Sequence, residues 1–210
     1  MTSLNAKTLK ALFHNGVIFV GNNFEYIDEL NVFKEYLEKV YNGEIEEESD
    51  DPLWIEDTIE DLLIMAYIFG TDAANEDLGT NIQPDTNKLN TSLNKPIKDK
   101  TWKDRLSEYK DIENPIAEIM RIAETESHRI YNEAIFDTAI LSGLSINKTW
   151  VTMRDLAVRD AHELLEGVSV KLDERFYTDG DSALMPGGFE RADLNVGCRC
   201  ELILSSDERS

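Results

Sequence analysis

The sequence predicts an α+β protein that is mostly helical, with a helical N-terminal region, one long central helix and a small C-terminal α+β module. Up to Gly143, apolar residues recur at three-to-four spacing, the period of an amphipathic helix. Beyond Gly143 the period shortens towards two, as in strands, and Gly and Pro punctuate the chain. We predict an acidic helical region with a loop over 1–95, a connecting arm over 96–113, and the long helix with the module over 114–210.

The charge balance argues against nucleic-acid binding as the function. Among 210 residues, 42 are Asp or Glu and 21 are Lys or Arg, giving a net charge of −21. Such a chain repels a phosphate backbone, so we expect no direct sequence-specific binding of nucleic acid. Ten of the acids lie between positions 44 and 61, which contain no base. We interpret that run as a solvated loop and helix start, because it lacks the alternating ligands and central Gly of a calcium loop.

The N-terminal sequence and the length of the apolar runs indicate a cytoplasmic protein. No basic start precedes an apolar core and cleavage site, so a secretory signal is not predicted. The longest apolar run, from Leu62 to Gly70, is too short to span a membrane. Cys198 and Cys200 are separated by one residue, a spacing that strains a disulfide, so we expect free thiols or metal ligands.

The N-terminal region contains three predicted helices. The first covers Leu4 to Phe13, the second runs from Tyr26 to Asn42-Gly43, and the third follows a cap at Asp50 or Asp51 and covers Trp54 to Phe69. From Gly70 to Pro96 the chain is rich in Asn, Thr and Asp, which predicts a long loop. A short helix or extended arm is expected to begin at Asp99.

The central helix has clear end signals. Asn114 is a predicted cap, Pro115 suits the first helical position, and Gly143 suits a left-handed terminator. At 1.5 Å per residue such a helix is about 42 Å long, more than a compact domain of this size needs. We therefore expect it to join two lobes or to pack against another subunit.

The module after Gly143 has the period changes of a mixed fold. Its predicted elements are a strand over 149–153, a helix over 155–165 that ends at Gly167, a strand over 168–172 and a final strand over 199–204.

Two groups of residues in the module have the chemistry of metal ligands. His162, Glu163 and Glu166 form HELLE, which differs by one residue from the HExxH helix of zinc hydrolases. In the second group, His162, Cys198 and Cys200 offer three zinc ligands, with Asp155, Asp160 or water as a fourth. We favour a third interpretation, in which the cysteines are buried small residues and His162 is hydrogen-bonded, because only three protein ligands are found.

Charged residues around the module have a structural interpretation. Arg159 and Arg199 are expected to pair with Asp155 and Asp160 and to tie the small domain together. A further charged set on the long helix either faces this network or coats a solvated face, and we predict the solvated face for most of its members: Glu124, Glu126, His128 and Arg129. The sequence contains neither a phosphate loop nor a serine-hydrolase motif, so the pattern does not predict an enzyme.

An ordered set of short motifs between Asn114 and Leu204 resembles the Mu F-like family of phage minor head proteins, also called head morphogenesis proteins. The set comprises Glu124-Thr125-Glu126-Ser127, Trp150-Val151-Thr152, Arg159-x-x-His162-x-x-Leu165-x-Gly167, Phe176, Met185-Pro186-Gly187 and Cys198-Arg199-Cys200. The resemblance implies that Arg159, His162, Gly167, Pro186, Cys198, Arg199 and Cys200 form a structural motif and that no residue is catalytic.

The resemblance also implies a partner and a location. Family members are virion components inside the capsid near the portal, made in the host cytoplasm, so the expected partners are the portal protein and a capsid or scaffolding protein. The implied role is head assembly and DNA packaging or ejection. Some members carry Cys-x-x-Cys at the positions of Arg159 and His162, which suggests a metal site in them. Arg cannot bind a metal, so we expect no cofactor here, with zinc on His162, Cys198 and Cys200 as the alternative.

Overall fold

The computed structural model describes residues 26–44, 54–109, 112–178 and 180–206, without the side chains of 26–29. The helix predicted over Leu4 to Phe13 and the cap predicted at Asp50 or Asp51 lie outside these residues. Within them the chain forms seven helices and five short strands, as the predicted α+β class requires. The helices are α1 (Tyr26–Tyr41), α2 (Trp54–Leu78), α3 (Thr86–Leu93), α4 (Trp102–Ser107), α5 (Ile116–Ser142), α6 (Asp160–Glu163) and α7 (Ala192–Asn195).

The second helix is longer than its sequence indicates. We predicted a loop from Gly70 to Pro96, but α2 continues to Leu78 and α3 follows it. Gly70 does not end the helix; it lets α2 approach α5, since a Cβ at this position would lie 2.2 Å from the Tyr131 carbonyl oxygen. The loop prediction was wrong because Asp85, whose carboxylate accepts hydrogen bonds from two backbone N–H groups, begins a helix in this polar stretch.

The long helix α5 is the element that the others contact. Its left-handed cap at Gly143 (φ 65°) was predicted, whereas its N-cap is Pro115 rather than Asn114. Sixteen of its 27 residues are buried. Trp102 and Leu106 of α4 and the length of α2 pack along it, and a capping box of Thr101 and Asp104 begins α4. The helix therefore packs against the N-terminal helices and also contacts the C-terminal module. Whether it also packs against another subunit stays a prediction.

The strands form two small antiparallel sheets. One has the order β2 (Ser169–Lys171), β1 (Ile146–Val151), β5 (Glu201–Ser206), and the other pairs β3 (Phe176–Thr178) with β4 (Asp181–Ala183). The ends of each predicted strand differ from those of the observed strand by one to three residues. The predicted strands covered 149–153, 168–172 and 199–204. The hairpin β3–β4 and helix α7 were not predicted.

The helix predicted over 155–165 was also wrong in extent, since α6 covers only Asp160–Glu163. Its first residues form a turn instead, because the Asp155 carboxylate accepts a hydrogen bond from the Ala157 N–H at 3.0 Å and so competes with helical bonding. Gly167 does end this segment, with φ 73°.

Two apolar clusters make up the core. The first joins α1, α2, α4 and the N-terminal two thirds of α5. The second joins the end of α2 (Ala74 and Leu78), the end of α5 (Ile135 and Ala139) and the module. Each cluster contains residues from both sides of positions 95 and 114. The domain boundaries that we predicted at these positions stay untested predictions. None of the described helices has the length and apolar character needed to cross a membrane.

Candidate functional site

His162, Cys198 and Cys200 meet in the interior of the module. The Nδ1 atom of His162 lies 3.7 Å from the Sγ of Cys198 and 3.5 Å from the Sγ of Cys200. All three side chains are buried, and their ligand atoms lie within 4.8 Å of one another. Among the described residues this is the one group of three or more His, Cys, Asp or Glu side chains with metal-binding geometry.

The imidazole of His162 is fixed by its neighbours. The ring stacks on Phe189, with centroids 5.6 Å apart and planes 20° apart, and meets the edge of Trp150 at 5.6 Å. Its Nε2 atom is buried and has no hydrogen-bond partner among the described residues. The two aromatic neighbours therefore hold the plane of the imidazole, with Nδ1 towards the two sulfurs.

The loop that carries the cysteines is held by α5. The carbonyl oxygen of Cys200 accepts hydrogen bonds from His128 Nε2 at 2.6 Å and from Asn132 Nδ2 at 3.1 Å. Thr125 Oγ1 accepts a bond from the Gly197 N–H at 3.2 Å. Burial lowers the pKa of His128 to about 4, so its ring is neutral and Nε2 carries the donated proton. Three polar residues of α5 thus set the position of the Cys-Arg-Cys segment.

Each of the two thiols shifts the pKa of the other. The pKa of Cys198 is lowered, first by the hydrogen bond with the Cys200 thiol, and the nearby Arg159 contributes. The pKa of Cys200 is raised, because its thiol is held protonated by the same hydrogen bond and by burial.

The arginines predicted to form one charged network have separate roles. Arg199 makes a bidentate pair with Asp155, both contacts at 2.8 Å, on the surface of the module. Arg159 donates to the backbone carbonyl of Val196 and thereby ties the start of α6 to the cysteine loop. Asp160 is exposed at the start of α6 and, like Asp155, does not belong to the His/Cys group.

The HELLE segment does not form a metal site. Glu166 Oε2 accepts a hydrogen bond from the Thr152 N–H at 2.6 Å, and Oε1 accepts one from Arg154 Nε at 2.7 Å. Glu163 is exposed. The two carboxylates therefore do not converge with the imidazole of His162, and the arrangement does not favour a hydrolase built on His162 with Glu166.

The remaining motif residues shape the backbone around the cluster. The N–H of Gly167 donates to the Trp150 carbonyl at 2.9 Å. Pro186 and Gly187 are buried against α5, and a Cβ on Gly187 (φ 78°) would lie 3.1 Å from the Cα of Arg129. Only Gly fits this close approach, which explains the Met-Pro-Gly turn as a packing feature.

The charged face of α5 is mostly interior, contrary to the prediction. Glu124 is exposed, but Glu126, His128 and Arg129 are 0%, 6% and 2% exposed. Arg129 donates to Glu126, to Glu133 and to the Ser92 carbonyl oxygen, and Arg105 pairs with Glu126. The i,i+3 and i,i+4 spacing of Glu126, Arg129 and Glu133 was a visible signal of ion pairing. The spacing did not show that these residues are buried, because their burial depends on α3 and α4, which cover the helix.

Comparison with known proteins identifies the family. The family described as phage Mu protein F like protein matches residues 86–203, which is more than half of the chain. The matched segment contains every residue of the site described above. No curated protein and no solved structure matches the chain. The matched segment begins at α3 and ends within β5, so it contains the long helix, the His/Cys cluster and the polar residues that position it. The chain belongs to the phage Mu protein F-like family.

Proposed function

We propose that this protein is a minor component of a phage head that binds the portal protein and serves head assembly and DNA packaging or ejection. The observation that carries the proposal is the family match over residues 86–203. The family suggests a head morphogenesis protein, and a structural virion role agrees with a buried motif whose residues hold the fold together. The portal as partner and the stage of assembly are inferences from the family resemblance.

The net charge argues against a role in which the chain coats DNA. A chain with a net charge of −21 is repelled by packaged DNA. Its place in a head therefore depends on contacts with protein. This agrees with a partner such as the portal and argues against a role as a DNA-condensing protein.

The long helix offers little surface for such a contact. Most of α5 is buried within the chain, and its largest exposed apolar side chains are Ile140 and Leu141 at its C-terminal end, 47% and 44% exposed. The module exposes more: Leu156 is fully exposed, and Leu164 and Tyr177 are 76% and 72% exposed. We therefore place the portal contact on the module, at Leu156 and Leu164, and not along the long helix.

Co-expression with the portal protein encoded in the same phage or prophage genome tests the proposal. We expect the two chains to elute as one complex, and Leu156→Asp combined with Leu164→Asp to reduce the bound fraction at least about tenfold, because two apolar anchors are lost. Ile140→Asp combined with Leu141→Asp is the matched control and should leave binding unchanged.

Mass spectrometry of purified heads tests the role in the head separately from the binding to the portal. Presence of the chain in heads together with separate elution from the portal would reject the portal contact and leave the head role in place. Absence of the chain from purified heads would reject the role as a head component. Equal loss of binding in the two double variants would reject the assignment of the contact to the module.

A further inference from the structure

We propose that His162, Cys198 and Cys200 bind one zinc ion through Nδ1 and two Sγ atoms, with a solvent molecule as the fourth ligand. The inference does not depend on the proposed role in a phage head. Two thiolates and an imidazole are a donor set that suits zinc, which prefers four-coordinate tetrahedral sites. The carboxylates considered as fourth ligands point elsewhere, since Asp155 pairs with Arg199.

The distances between the ligand atoms match the edges of a zinc tetrahedron. With Zn–S near 2.3 Å and Zn–N near 2.05 Å, two ligands at the tetrahedral angle are about 3.6 Å apart. The observed Nδ1-to-Sγ distances are 3.7 Å and 3.5 Å. The two edges between nitrogen and sulfur therefore already have the length that a zinc tetrahedron requires, and all three ligand atoms lie within 4.8 Å of one another.

Hydrogen bonding alone accounts less well for this arrangement. A neutral imidazole nitrogen has either one lone pair or one proton, so Nδ1 can make only one good hydrogen bond. Because the two thiols also hydrogen-bond with each other, one contact with Nδ1 would be enough for a hydrogen-bonded cluster. Nδ1 instead lies at nearly the same distance from both sulfurs. A metal ion between the three atoms accounts for both distances.

The ligands are held in place before any metal binds. His128, Asn132 and Thr125 fix the cysteine loop, and Phe189 and Trp150 fix the imidazole. Because the ligands come from α6 and from the segment before β5, a bound ion would cross-link two parts of the module that are separated by 36 residues in sequence. The ion would add to the stability of the folded module, since the three ligands come together only in the folded chain.

The fourth position has room for one solvent molecule. A cavity of about 10 Å³ adjoins the cluster and is lined by Arg159, His162, Gly197 and Cys200, among others. This volume is near the minimum that holds a water molecule. Arg159 cannot bind a metal, and its guanidinium group is engaged with the Val196 carbonyl. We therefore assign the fourth position to water and not to a protein side chain.

Metal analysis of the full chain tests the proposal. The protein is purified without chelators, and bound metal is measured by mass spectrometry. We expect about one zinc per chain, and after removal of zinc and addition of Co²⁺ we expect the intense visible bands of a tetrahedral ion with thiolate-to-cobalt charge transfer in the near ultraviolet. Zinc far below one per chain together with an octahedral cobalt spectrum would overturn the proposal.

Variants identify the ligands. Cys200→Ser and His162→Gln should each weaken zinc binding at least about tenfold, because each removes one of three protein ligands. Glu163→Gln, an exposed neighbour of His162, is the matched control and should retain one zinc. Full retention of zinc by both ligand variants would place the metal elsewhere and reject the site. If the ligand variants do not fold, the cobalt spectrum of the unaltered chain decides the question alone.

Discussion

Lys148 places a charged amine in the interior of the module. Its side chain is 0% exposed, and its Nζ donates to the Leu184 carbonyl oxygen at 2.8 Å. The ammonium group lies 4.8 Å from the ring centroid of Phe136 and 5.4 Å from that of Phe176. Burial lowers the pKa of Lys148 to about 8, and the nearby acid Asp173 only partly opposes this effect.

The lowered pKa predicts a pH dependence of stability. Between pH 8 and the ordinary Lys pKa of about 10.4, the folded chain has released the proton of Lys148 and the unfolded chain still binds it. The unfolded state therefore binds more protons, and the free energy of unfolding should rise with pH over this window, by roughly 3 kcal/mol from this residue. Lys148→Met should lack the rise.

Urea unfolding of both chains between pH 7 and pH 10.5 measures this difference. Other groups that titrate in this range are common to the two chains, so their effects cancel in the comparison. Parallel pH profiles of the two chains would contradict the prediction. Lys171→Met replaces an exposed strand residue and is the matched control. Its free energy of unfolding should depend on pH in the same way as that of the unaltered chain.

Sequence reasoning identified the candidate ligands but not their environment. His162, Cys198 and Cys200 were grouped because their residue types are metal ligands, and the fold does bring them together. The polar residues that hold the loop, His128 and Asn132, were missed or placed on a solvated face. Their partner is a backbone carbonyl about 70 residues away in sequence, and no local pattern reveals such a contact.

The pair of α2 and α5 determines how the elements pack. Gly70 allows the two helices to meet at the backbone of Tyr131 and at Ala134. A hydrogen bond reinforces the contact, since Asp137 of α5 accepts from Tyr67 Oη of α2 at 3.2 Å. Asp137 also pairs with Lys88 of α3 at 2.6 Å. Sequence analysis found both helices by their apolar period. It ended α2 too early because a Gly can mark either a helix end or a close helix crossing.

Replacing Gly70 tests whether the close helix crossing matters. If Gly70 were an ordinary interior position of α2 with free space around it, Gly70→Ala would stabilise the protein by up to about 1 kcal/mol. The added Cβ would instead lie 2.2 Å from the Tyr131 carbonyl oxygen, so α2 must shift away from α5. We expect Gly70→Ala to lower the free energy of unfolding by about 3 kcal/mol.

Chemical denaturation followed by circular dichroism measures the effect of the Gly70 exchange. Glu76→Ala, at an exposed position of the same helix, is the control and should change the stability by less than about 0.5 kcal/mol. An increase in stability in Gly70→Ala would show that the close crossing is absent.

At the scale of the whole molecule, the two apolar clusters share two helices. The first cluster contains Ile59 and Leu63 of α2, and the second contains Ala74 and Leu78 of the same helix. The strands of the module are tied to α2 as well, because the Asp77 carboxylate accepts a hydrogen bond from the Leu204 N–H at 2.8 Å. Burial raises the pKa of Asp77. The N-terminal helices and the module therefore depend on each other for their cores.

This mutual dependence predicts that the chain unfolds as one unit and that residues 114–210 do not fold alone. A fragment of 114–210 would lack Ala74, Leu78 and the carboxylate of Asp77, and would expose the face of α5 that α2 covers. We expect the fragment to lose the near-ultraviolet circular dichroism of Trp150, its single tryptophan. A chain of residues 26–206 retains all the described elements, so it should unfold in one cooperative transition. A cooperative transition in the fragment would instead establish the boundary at residue 114 as that of an independent domain, with Ala74 and Leu78 contributing only contacts across an interface.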